Sequence, residues 1–468
     1  MMRRRNLLQL LAASGAGLLS SRARAQHEHH HPPASEAPAS ATAAPAGSAS
    51  PSTSTAAAPR VSRHAQGYLP VRTLNGWTLP YKLDSGVKEF HLVAEEIEHE
   101  FAPGTRARCW GYNGTTPGPT IEAVEGDRVR LFVTNRLPEA TSVHWHGIDL
   151  PQGFDGVGGL TQAHIRPGET YVYEFTLRQH GTHMYHPHVD EMTQMAFGMM
   201  GMFIIHPKAG EAVRIDRDYC FLLHNWALHP GTYRPDPSVL QDFDLWTFNS
   251  KVFPAIEPLV MGMGERIRIR VGNLSMWNHP IHLHSNPFWV TGSDGGRWPQ
   301  SLWRREATEI VGVGQVRDLE FVPTEPGDWA LHCHMAHHTM NAMGHGIPNN
   351  VGVDQRGVSR EIRQHLPGYM PMGKGGMSEH SMHVEHGMMK GPENTLPMMM
   401  GQGPYGGIEM GGMFTVLKVR HDQAPGDFRD PGPYVVDESR RARRVSRDPD
   451  FGTPHRRSPY APEAKGEG

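Results

Sequence analysis

The sequence predicts an all-β protein of two similar domains, and three observations support this prediction. Apolar and polar residues alternate with the period of a β-strand, for example at residues 128–131 and 266–269. Gly and Pro turn residues bound such runs. The two halves of the chain also share matching blocks of sequence, which indicates one fold present twice.

The first pair of matching blocks keeps the same distance to a histidine. Gly126 begins the segment Gly-Asp-Arg-Val-Arg-Leu and lies 18 residues before His144. Gly264 begins Gly-Glu-Arg-Ile-Arg-Ile and lies 18 residues before His282. This agreement divides the chain into two domains of ordinary size.

A second pair of blocks, each with Glu-Phe followed by a glycine, precedes His186 and His332. Alignment of these blocks puts Cys333 opposite Pro187. Domain 1 has therefore kept paired histidines but has no cysteine at this place.

The N-terminal segment predicts export. Arg3, Arg4 and Arg5 precede an apolar run that ends near Leu19, a pattern typical of a twin-arginine signal peptide. The run is shorter than the ~20 residues that cross a bilayer. We therefore expect a periplasmic protein with no membrane anchor.

Composition and the repeat predict the remaining boundaries. They are a signal peptide at 1–25, a disordered Ala/Ser/Pro/His linker at 26–63, domain 1 at 64–208, domain 2 at 209–350 plus 412–421, a Met/His/Gly-rich insertion at 351–411 and a C-terminal tail at 422–468. The insertion is too polar and rich in glycine for a core, so we expect a long surface loop or lid. The tail is either disordered or wrapped on a neighbouring surface.

Charge and cysteine content set bounds on the function. The formal net charge is −3, from 45 basic and 48 acidic side chains, and predicts neither nucleic acid nor a membrane surface as a partner. Cys109 and Cys220 are either a disulfide or a pair of buried free thiols, since spacing alone does not decide.

Four histidine clusters run through the two domains. Their compound spacings are much rarer than the isolated His-x-His pairs that 31 histidines in 468 residues produce by chance. Histidine is the commonest metal ligand in proteins. The predicted metal-binding residues are His144, His146, His186, His188, His279, His282, His284, His332, Cys333, His334, His338 and Met343.

Cys333 lies between His332 and His334 on a predicted strand. Successive strand residues point to opposite faces of a sheet. The thiolate is therefore expected on one face and the two imidazoles on the other, so that one short segment holds two metal centres back to back.

Two histidines, a cysteine and a weak axial methionine form the ligand set of a blue-copper electron-transfer site. The residues that provide this set are His279, Cys333, His338 and Met343. His337 competes with His338. The spacing favours His338 and leaves His337 a structural role.

With these motifs in this order, the chain resembles the multicopper oxidases over roughly residues 111–343 and the last strand. The resemblance implies two cupredoxin-like Greek-key β-barrel or sandwich domains. It also implies four copper ions per subunit, one of type 1, one of type 2 and two of type 3. By this resemblance His144 and His282 bind the type 2 copper. By the same resemblance, the type 3 pair is bound by His146, His186, His188, His284, His332 and His334.

The resemblance further implies that electrons taken singly from a small reductant reduce dioxygen to water. Only about ninety residues separate His188 from His279, too few for a third domain. The chain therefore resembles the two-domain laccase-like oxidases, in which the copper cluster forms between domain 1 of one subunit and domain 2 of the next. A homotrimer is the implied assembly.

Asp155, in the Phe-Asp-Gly segment after the first motif, resembles the acid that assists proton delivery near the type 2 copper. The alternative is an ordinary turn aspartate. Many relatives carry a carboxylate just after the cysteine motif, but residues 335–343 contain none. Either Asp190 or Glu191 replaces it, or the proton route differs.

The insertion indicates the reductant. Soft thioethers favour Cu(I) over hard divalent ions, so cuprous ion is the predicted substrate and copper tolerance the predicted purpose. Phenols are an alternative, and so is Mn(II), with Glu379, Glu385 and Glu393 as candidate carboxylates. The rival functions are a non-catalytic copper-binding resistance protein and a copper nitrite reductase, whose blue-copper cysteine would lie in the first domain.

Overall fold

The chain folds almost entirely into β-strands, which confirms the predicted fold class. The structure is a computed structural model and describes residues 67–241, 243–341, 356–365, 393–396 and 401–446. The predicted signal peptide, the linker, Met343 and most of the Met/His-rich insertion lie outside these ranges. None of the helices in the described ranges is long and apolar enough to span a membrane.

The first half contains ten strands. They are β1 (Arg72–Thr73), β2 (Lys82–Asp84), β3 (Val87–Ala102), β4 (Thr105–Tyr112), β5 (Ile121–Val124), β6 (Arg128–Asn135), β7 (His144–His146), β8 (Thr170–Thr176), β9 (Gly181–His186) and β10 (Gly201–His206). A short helix α1 (Glu191–Ala196) joins β9 to β10.

The described ranges of the second half contain fourteen strands. They are β11 (Arg217–Trp226), β12 (Leu245–Phe248), β13 (Leu259–Gly262), β14 (Ile267–Asn273), β15 (His279–Leu283), β16 (Phe288–Ser293), β17 (Gly296–Arg297), β18 (Arg304–Glu306), β19 (Thr308–Val311), β20 (Val316–Phe321), β21 (Gly327–Cys333), β22 (Gln402–Gly403), β23 (Gly406–Gly407) and β24 (Phe414–Arg420). Helix α2 (Arg356–His365) lies between β21 and β22. Short 3-10 turns occur at Gln152–Phe154, Gln300–Leu302, Ala336–Thr339 and Glu438–Arg440.

Each half is built from two sheets whose central strands follow the same order. In the first half these are β2-β3-β6-β8, with β4 on β3, and β5-β10-β9-β7. In the second half they are β1-β11-β14-β20-β16-β17 and β13-β24-β21-β15-β19. The parallel pairs also correspond, because β3 pairs with β6 as β11 pairs with β14, and β5 with β10 as β13 with β24. The sequence repeat is thus a repeat of topology.

Apolar side chains from the two sheets of each half meet in a core. In the first half Trp145, the middle residue of a His-x-His pair, lies in this core with Tyr173 and Phe203. In the second half Cys333 belongs to the core that β11, β14, β21 and β24 enclose. Burial of these side chains is the main stabilising contribution to each half.

A third apolar cluster joins the two halves. Met184 and Met202 of the first half pack on Gly272 so closely that a Cβ there would lie 2.8 Å from one sulfur and 3.0 Å from the other. Cys109 and Cys220 belong to the same cluster, and both are buried free thiols. Of the two alternatives for this pair, the structure therefore has the thiols.

A buried charge network lies beside this cluster. Asp218 on β11 accepts hydrogen bonds from Arg268, with the closer at 2.6 Å, and from Arg270 at 3.0 Å. Arg270 also donates to the Thr182 hydroxyl, and Thr182 donates to Asp318, both at 2.7 Å. Because Thr182 lies on β9, these bonds connect the first half to the second.

The described parts of the insertion and the tail are packed on the rest of the chain. The Asn394 side chain exchanges hydrogen bonds of 2.9 and 2.8 Å with the backbone of Arg106, and Leu396 is buried. Residues 393–396 of the predicted insertion are therefore a loop that is packed against the rest of the chain through Asn394 and Leu396. In the tail, Tyr434 donates its N–H to Asp328 and Arg440 donates to Glu325, so this part of the tail lies against the second half.

Candidate metal centres

Three side chains converge inside the core of the second half. His279 opens β15, Cys333 ends β21, and His338 lies in the 3-10 turn that follows. The Cys333 Sγ lies 3.6 Å from His279 Nδ1 and 3.3 Å from His338 Nδ1, and the two Nδ1 atoms are 3.1 Å apart. All three side chains are completely buried. We call them the buried trio.

The chemistry of the buried trio fits a bound metal ion. Donors bound at about 2 Å from one metal lie on the order of 3 to 4 Å from one another, as these do. Burial raises the pKa of Cys333 to about 12 and lowers the pKa of His279 to about 3. The thiol therefore keeps its proton at neutral pH unless a cation replaces it, and the imidazole is neutral and ready to coordinate.

A serine orients His279. The Ser275 hydroxyl lies 2.8 Å from His279 Nε2, and the Asn273 side-chain oxygen accepts from the backbone N–H of Ser275 at 2.9 Å. With Nε2–H donated to this hydroxyl, the lone pair of His279 is on Nδ1 and faces the sulfur. Hydrogen bonds of this kind fix the tautomer of histidines that bind metals.

Aromatic rings cover His338. The Trp246 ring stacks on its imidazole with centroids 3.6 Å apart and an interplanar angle of 17°. The Trp277 ring lies 6.1 Å from His338 and 6.2 Å from Trp246, edge to face. His337 lies 4.3 Å from His338 and also contacts both tryptophans. We call Trp246, Trp277 and His337 the aromatic cover.

Four other histidines lie on the opposite face of the same sheet. They are His282, His284, His332 and His334, and we call them the second half-site. His284 Nε2 and His332 Nε2 are 3.1 Å apart. His332 and His334 flank Cys333 on β21 and the turn after it, so the alternation predicted from the sequence is present in the structure.

The first half carries the corresponding set on β7, at the end of β9 and just after it. Its members are His144, His146, His186 and His188, the first half-site. His146 Nδ1 lies 3.2 Å from His186 Nε2. Burial lowers the pKa of His186 to about 3, so this imidazole is neutral.

Backbone carbonyls fix the tautomers of both half-sites. His144 donates Nδ1–H to the carbonyl of Asp155 at 2.8 Å, and His282 donates to Ala307 at 2.7 Å. His186 donates to Pro187 at 2.9 Å, and His332 donates to Cys333 at 2.8 Å. Because a carbonyl oxygen only accepts, Nδ1 carries the proton in each, and four Nε2 lone pairs are left for metal ions. Both half-sites therefore fit the bound metal that the sequence predicts.

The two half-sites do not meet within one chain. Among the residues that the structure describes, ring contacts join the histidines of each half-site to one another, and no ring contact joins the two half-sites. In the part of the chain that the structure describes, each possible metal-binding group that contains half-site histidines takes them from one half-site alone. His284 and His334 are exposed, so the second half-site is open to solvent in the single chain.

Two carboxylates flank the first half-site. An Asp155 oxygen lies 3.3 Å from His144 Nδ1, and the turn that brings it there needs glycine at 156, where a Cβ would lie 1.8 Å from the Val143 carbonyl oxygen. Glu191 lies 3.5 Å from His186 and 3.8 Å from His188. Of the two carboxylates considered after the second motif, Glu191 is the one that faces the histidines.

Two residues beside the buried trio were not predicted from the sequence. Ser275 and Trp246 carry no motif, because their roles come from contacts between strands that are distant in sequence. Glu191 was named only as one of two alternatives. The sequence signal that favours Glu191 over Asp190 is its position three residues after His188, where the structure has the start of α1. Met343 lies outside the described residues.

Comparisons with known proteins agree with this geometry. The family described as multicopper oxidase matches residues 94–210 and again residues 231–352, together just over half of the chain. Copper resistance protein A of Pseudomonas syringae pv. tomato is 44% identical over 138 residues, which are 30% of this chain and 22% of that protein. A probable nitrite reductase-hydroxylamine oxidoreductase fusion protein of Kuenenia stuttgartiensis is 27% identical over 292 residues, 59% of this chain and 32% of the relative.

The chain therefore matches less than a third of the length of these curated relatives. Among solved structures, a blue copper oxidase from Nitrosomonas europaea superposes with a TM-score of 0.53 at 24% identity, and the match covers 71% of this chain and 85% of that one. This likeness shows the fold, with cupredoxin-type domains. The two family matches show that the chain belongs to the multicopper oxidase family.

Proposed function

We propose that the protein is an oxygen-reducing oxidase that takes electrons one at a time from a small reductant and delivers four of them to dioxygen, giving water. The observation that carries the proposal is strand β21. Cys333 faces two buried imidazoles on one side of the sheet, and His332 and His334 face two more on the other. Bound copper would supply one-electron redox chemistry at the thiolate and dioxygen reduction at the histidine clusters.

The proposed ligands follow the sequence assignment. The buried trio and Met343 would hold the type 1 copper. His144 and His282 would hold the type 2 copper. The type 3 pair would be held by His146, His186, His188, His284, His332 and His334, which makes four copper ions per subunit.

The backbone of β21 links the two kinds of centre. Cys333 and His332 are joined by one peptide bond, and the Cys333 carbonyl also accepts a hydrogen bond from His332 Nδ1. The same strand thus fixes both the separation and the relative orientation of the sulfur and the imidazole. This rigidity supports repeated electron transfer without rearrangement of the ligands.

We further propose a homotrimer in which the first half-site of one subunit faces the second half-site of the next. The separation of the two half-sites within one chain supports this assembly, because three of the proposed copper ions need ligands from both. Sedimentation of the metal-loaded protein should give the mass of three subunits. An active monomer would contradict the proposal.

The flanking carboxylates have proposed roles in moving protons. Asp155 holds His144 through its carbonyl and places a carboxylate oxygen beside the same ring. Glu191 places its carboxylate beside the rings of His186 and His188. Both are half-buried and can exchange protons with solvent, as the reduction of dioxygen to water requires.

Cuprous ion is the proposed reductant, with copper tolerance as the purpose. The Met and His content of the insertion supports this choice, and so does the likeness to a copper resistance protein. A phenol or Mn(II) is the alternative. A steady-state comparison of Cu(I), a phenol and Mn(II) with one preparation decides among them, and a lower kcat/KM for Cu(I) than for the phenol would reject our choice.

Dioxygen uptake tests the activity itself. Copper-loaded protein should consume dioxygen over many turnovers after Cu(I) or a phenol is added. The second candidate function, a copper-binding resistance protein without turnover, predicts no catalytic uptake. Its support is the likeness to copper resistance protein A.

A copper nitrite reductase is a further candidate because of the likeness to the Kuenenia fusion protein. In that kind of enzyme the blue-copper cysteine would lie in the first domain, where this chain has Pro187. We therefore expect no nitrite turnover with a reduced dye as electron donor.

The proposed location is the periplasm. The twin-arginine motif near the N-terminus supports it. Cell fractionation should find the protein there, and Arg3→Lys together with Arg4→Lys should retain it in the cytoplasm.

A further inference from the structure

The aromatic cover seals the buried trio from solvent. His338 has no exposed surface, and Trp246, which stacks on it, is 1% exposed. A reductant at the surface of the described residues therefore cannot contact a ring edge or a nitrogen atom of the buried trio. From the surface of the residues that the structure describes, an electron therefore has to cross a covering side chain to reach Cys333.

Two rings of the aromatic cover reach the surface. Trp277 and His337 are each half-buried, and Met276, beside Trp277, is 53% exposed. Trp277 contacts both Trp246 and His338, so a donor at its outer edge is separated from the imidazole by one or two rings in contact.

We propose that Trp277 is the entry point for electrons and that Trp246 is the positioning residue through which they pass to His338. The inference rests on the proposed oxidase function. One electron leaves the reductant and is gained by the cupric ion that the buried trio would hold. No bond forms or breaks in either ring, both tryptophans end uncharged, and a phenolic donor releases its proton to water.

The geometry favours this route over His337. The Trp246 and His338 rings are nearly parallel and in van der Waals contact, which gives the largest overlap of their π systems. An indole ring is also larger and more easily oxidised than an imidazole. Burial of Trp246 keeps water away from the route, so little solvent has to reorganise when an electron passes.

This route also determines how the electron donor reacts. The donor acts from outside the protein surface and forms no bond to a ligand of the metal. A neutral hydroquinone and the ferrocyanide anion should therefore use the same entry point, whatever the natural reductant is.

Anaerobic stopped-flow bleaching of the blue absorption measures the route directly. In copper-loaded protein, Trp277→Leu should bleach about tenfold more slowly with both donors. Its absorption spectrum and the reduction potential from a redox titration should stay as in the wild type, because Trp277 does not stack on His338. Trp289→Leu is the matched control: Trp289 is 40% exposed on β16, in the other sheet, and its loss should change nothing.

A second pair of variants tests the positioning role. Trp246→Leu should slow the bleaching and also change the electron paramagnetic resonance spectrum, because the ring that fixes His338 is lost. Trp246→Phe should restore the spectrum, since a phenyl ring can stack in the same place. If Trp246 has only a structural role, Trp246→Phe, with its normal spectrum, should bleach at the wild-type rate.

Bleaching of Trp277→Leu at the wild-type rate with both donors would overturn the inference and leave the oxidase function intact. So would slow bleaching in His337→Ala with normal rates in Trp277→Leu. If Trp277→Leu does not fold, Trp277→Met replaces it with the same expectations. A copper-loaded wild type without blue absorption would overturn the oxidase function, and the entry route with it.

Discussion

Residue by residue, the sequence was most informative where its spacing matched the period of a strand. The order His332-Cys333-His334 was enough to predict which side chains face each other across the sheet, because alternation in a strand is a local property. The choice of His338 over His337 also agrees with the distances to Cys333 and His279. Ser275 and Trp246 were not predicted, since long-range packing brings them to the buried trio.

Replacement of the sulfur tests the ligand set. Cys333→Ser should abolish the intense blue absorption of the copper-loaded protein, because the hydroxyl has no comparable charge transfer to copper. The histidines of both half-sites are untouched, so the copper content should fall by about one ion per subunit. Persistence of the blue colour would contradict the assignment.

Glu191 is predicted to act on protons and not on metal affinity. Glu191→Gln should lower kcat about tenfold and change its pH profile, with copper content unchanged, because the amide has the same shape but no exchangeable acid. Asp190→Asn is the control. Asp190 is exposed and has a φ of 44°, which asparagine tolerates. If both changes lower kcat equally, the Glu191 carboxylate has no specific role in proton transfer.

At the scale of elements, alternation and turns predicted the strands, but pairing between them needed the structure. β11, which is buried along its whole length, shows why: ten consecutive buried residues include Arg217 and Asp218, which a local pattern does not mark as interior. Partners on β14 make that burial possible. The anchored segment at 393–396 was missed for the same reason, because its partners lie on β4 and beyond.

The charge network between β11 and β14 makes stability depend on pH. Burial would raise the pKa of Asp218, but Arg268 and Arg270 outweigh it and hold the pKa to about 2. In the unfolded chain it is about 3.9. The stabilisation is therefore complete above pH 4 and is lost as the pH falls towards 2.

Asp218→Asn should lower the free energy of unfolding by about 2 to 3 kcal/mol at neutral pH, because Arg268 and Arg270 lose the buried carboxylate that they share. Of the carboxylates that the structure describes, Arg268 then keeps only Glu211, and Arg270 keeps only Asp318 at 3.8 Å. Denaturant unfolding measures this loss. Glu98→Gln is the control: Glu98 is 62% exposed in its pair with Arg106, and the change should stay within about 0.5 kcal/mol. A similar small loss for Asp218→Asn would show that water reaches the network.

At the scale of the whole molecule, the repeat predicted the two equivalent halves, and the structure adds that their half-sites stay apart. Sequence spacing does not report the distance between half-sites, because that depends on how the halves pack. The assembly therefore has to be tested with whole subunits.

Mixed subunits give that test. His146→Ala inactivates the first half-site, and His334→Ala inactivates the second. Each variant alone should be inactive. Co-expressed in equal amounts, they should recover about a quarter of the wild-type activity, because random assembly pairs an intact first half-site with an intact second one in that share of the interfaces. Activity no higher than that of either variant alone would mean that each cluster lies within one chain.

The position of β24 has a consequence for biosynthesis. This strand pairs with β13 on one edge and β21 on the other, and Met413, just before it, exchanges backbone hydrogen bonds with Cys333 and His338. A ribosome releases the cysteine long before it releases this strand. A nascent chain that stops ahead of residue 414 would leave β13 and β21 each with an unpaired edge and the buried trio without its backbone partner Met413, so we expect stable metal binding only after β24 has been translated.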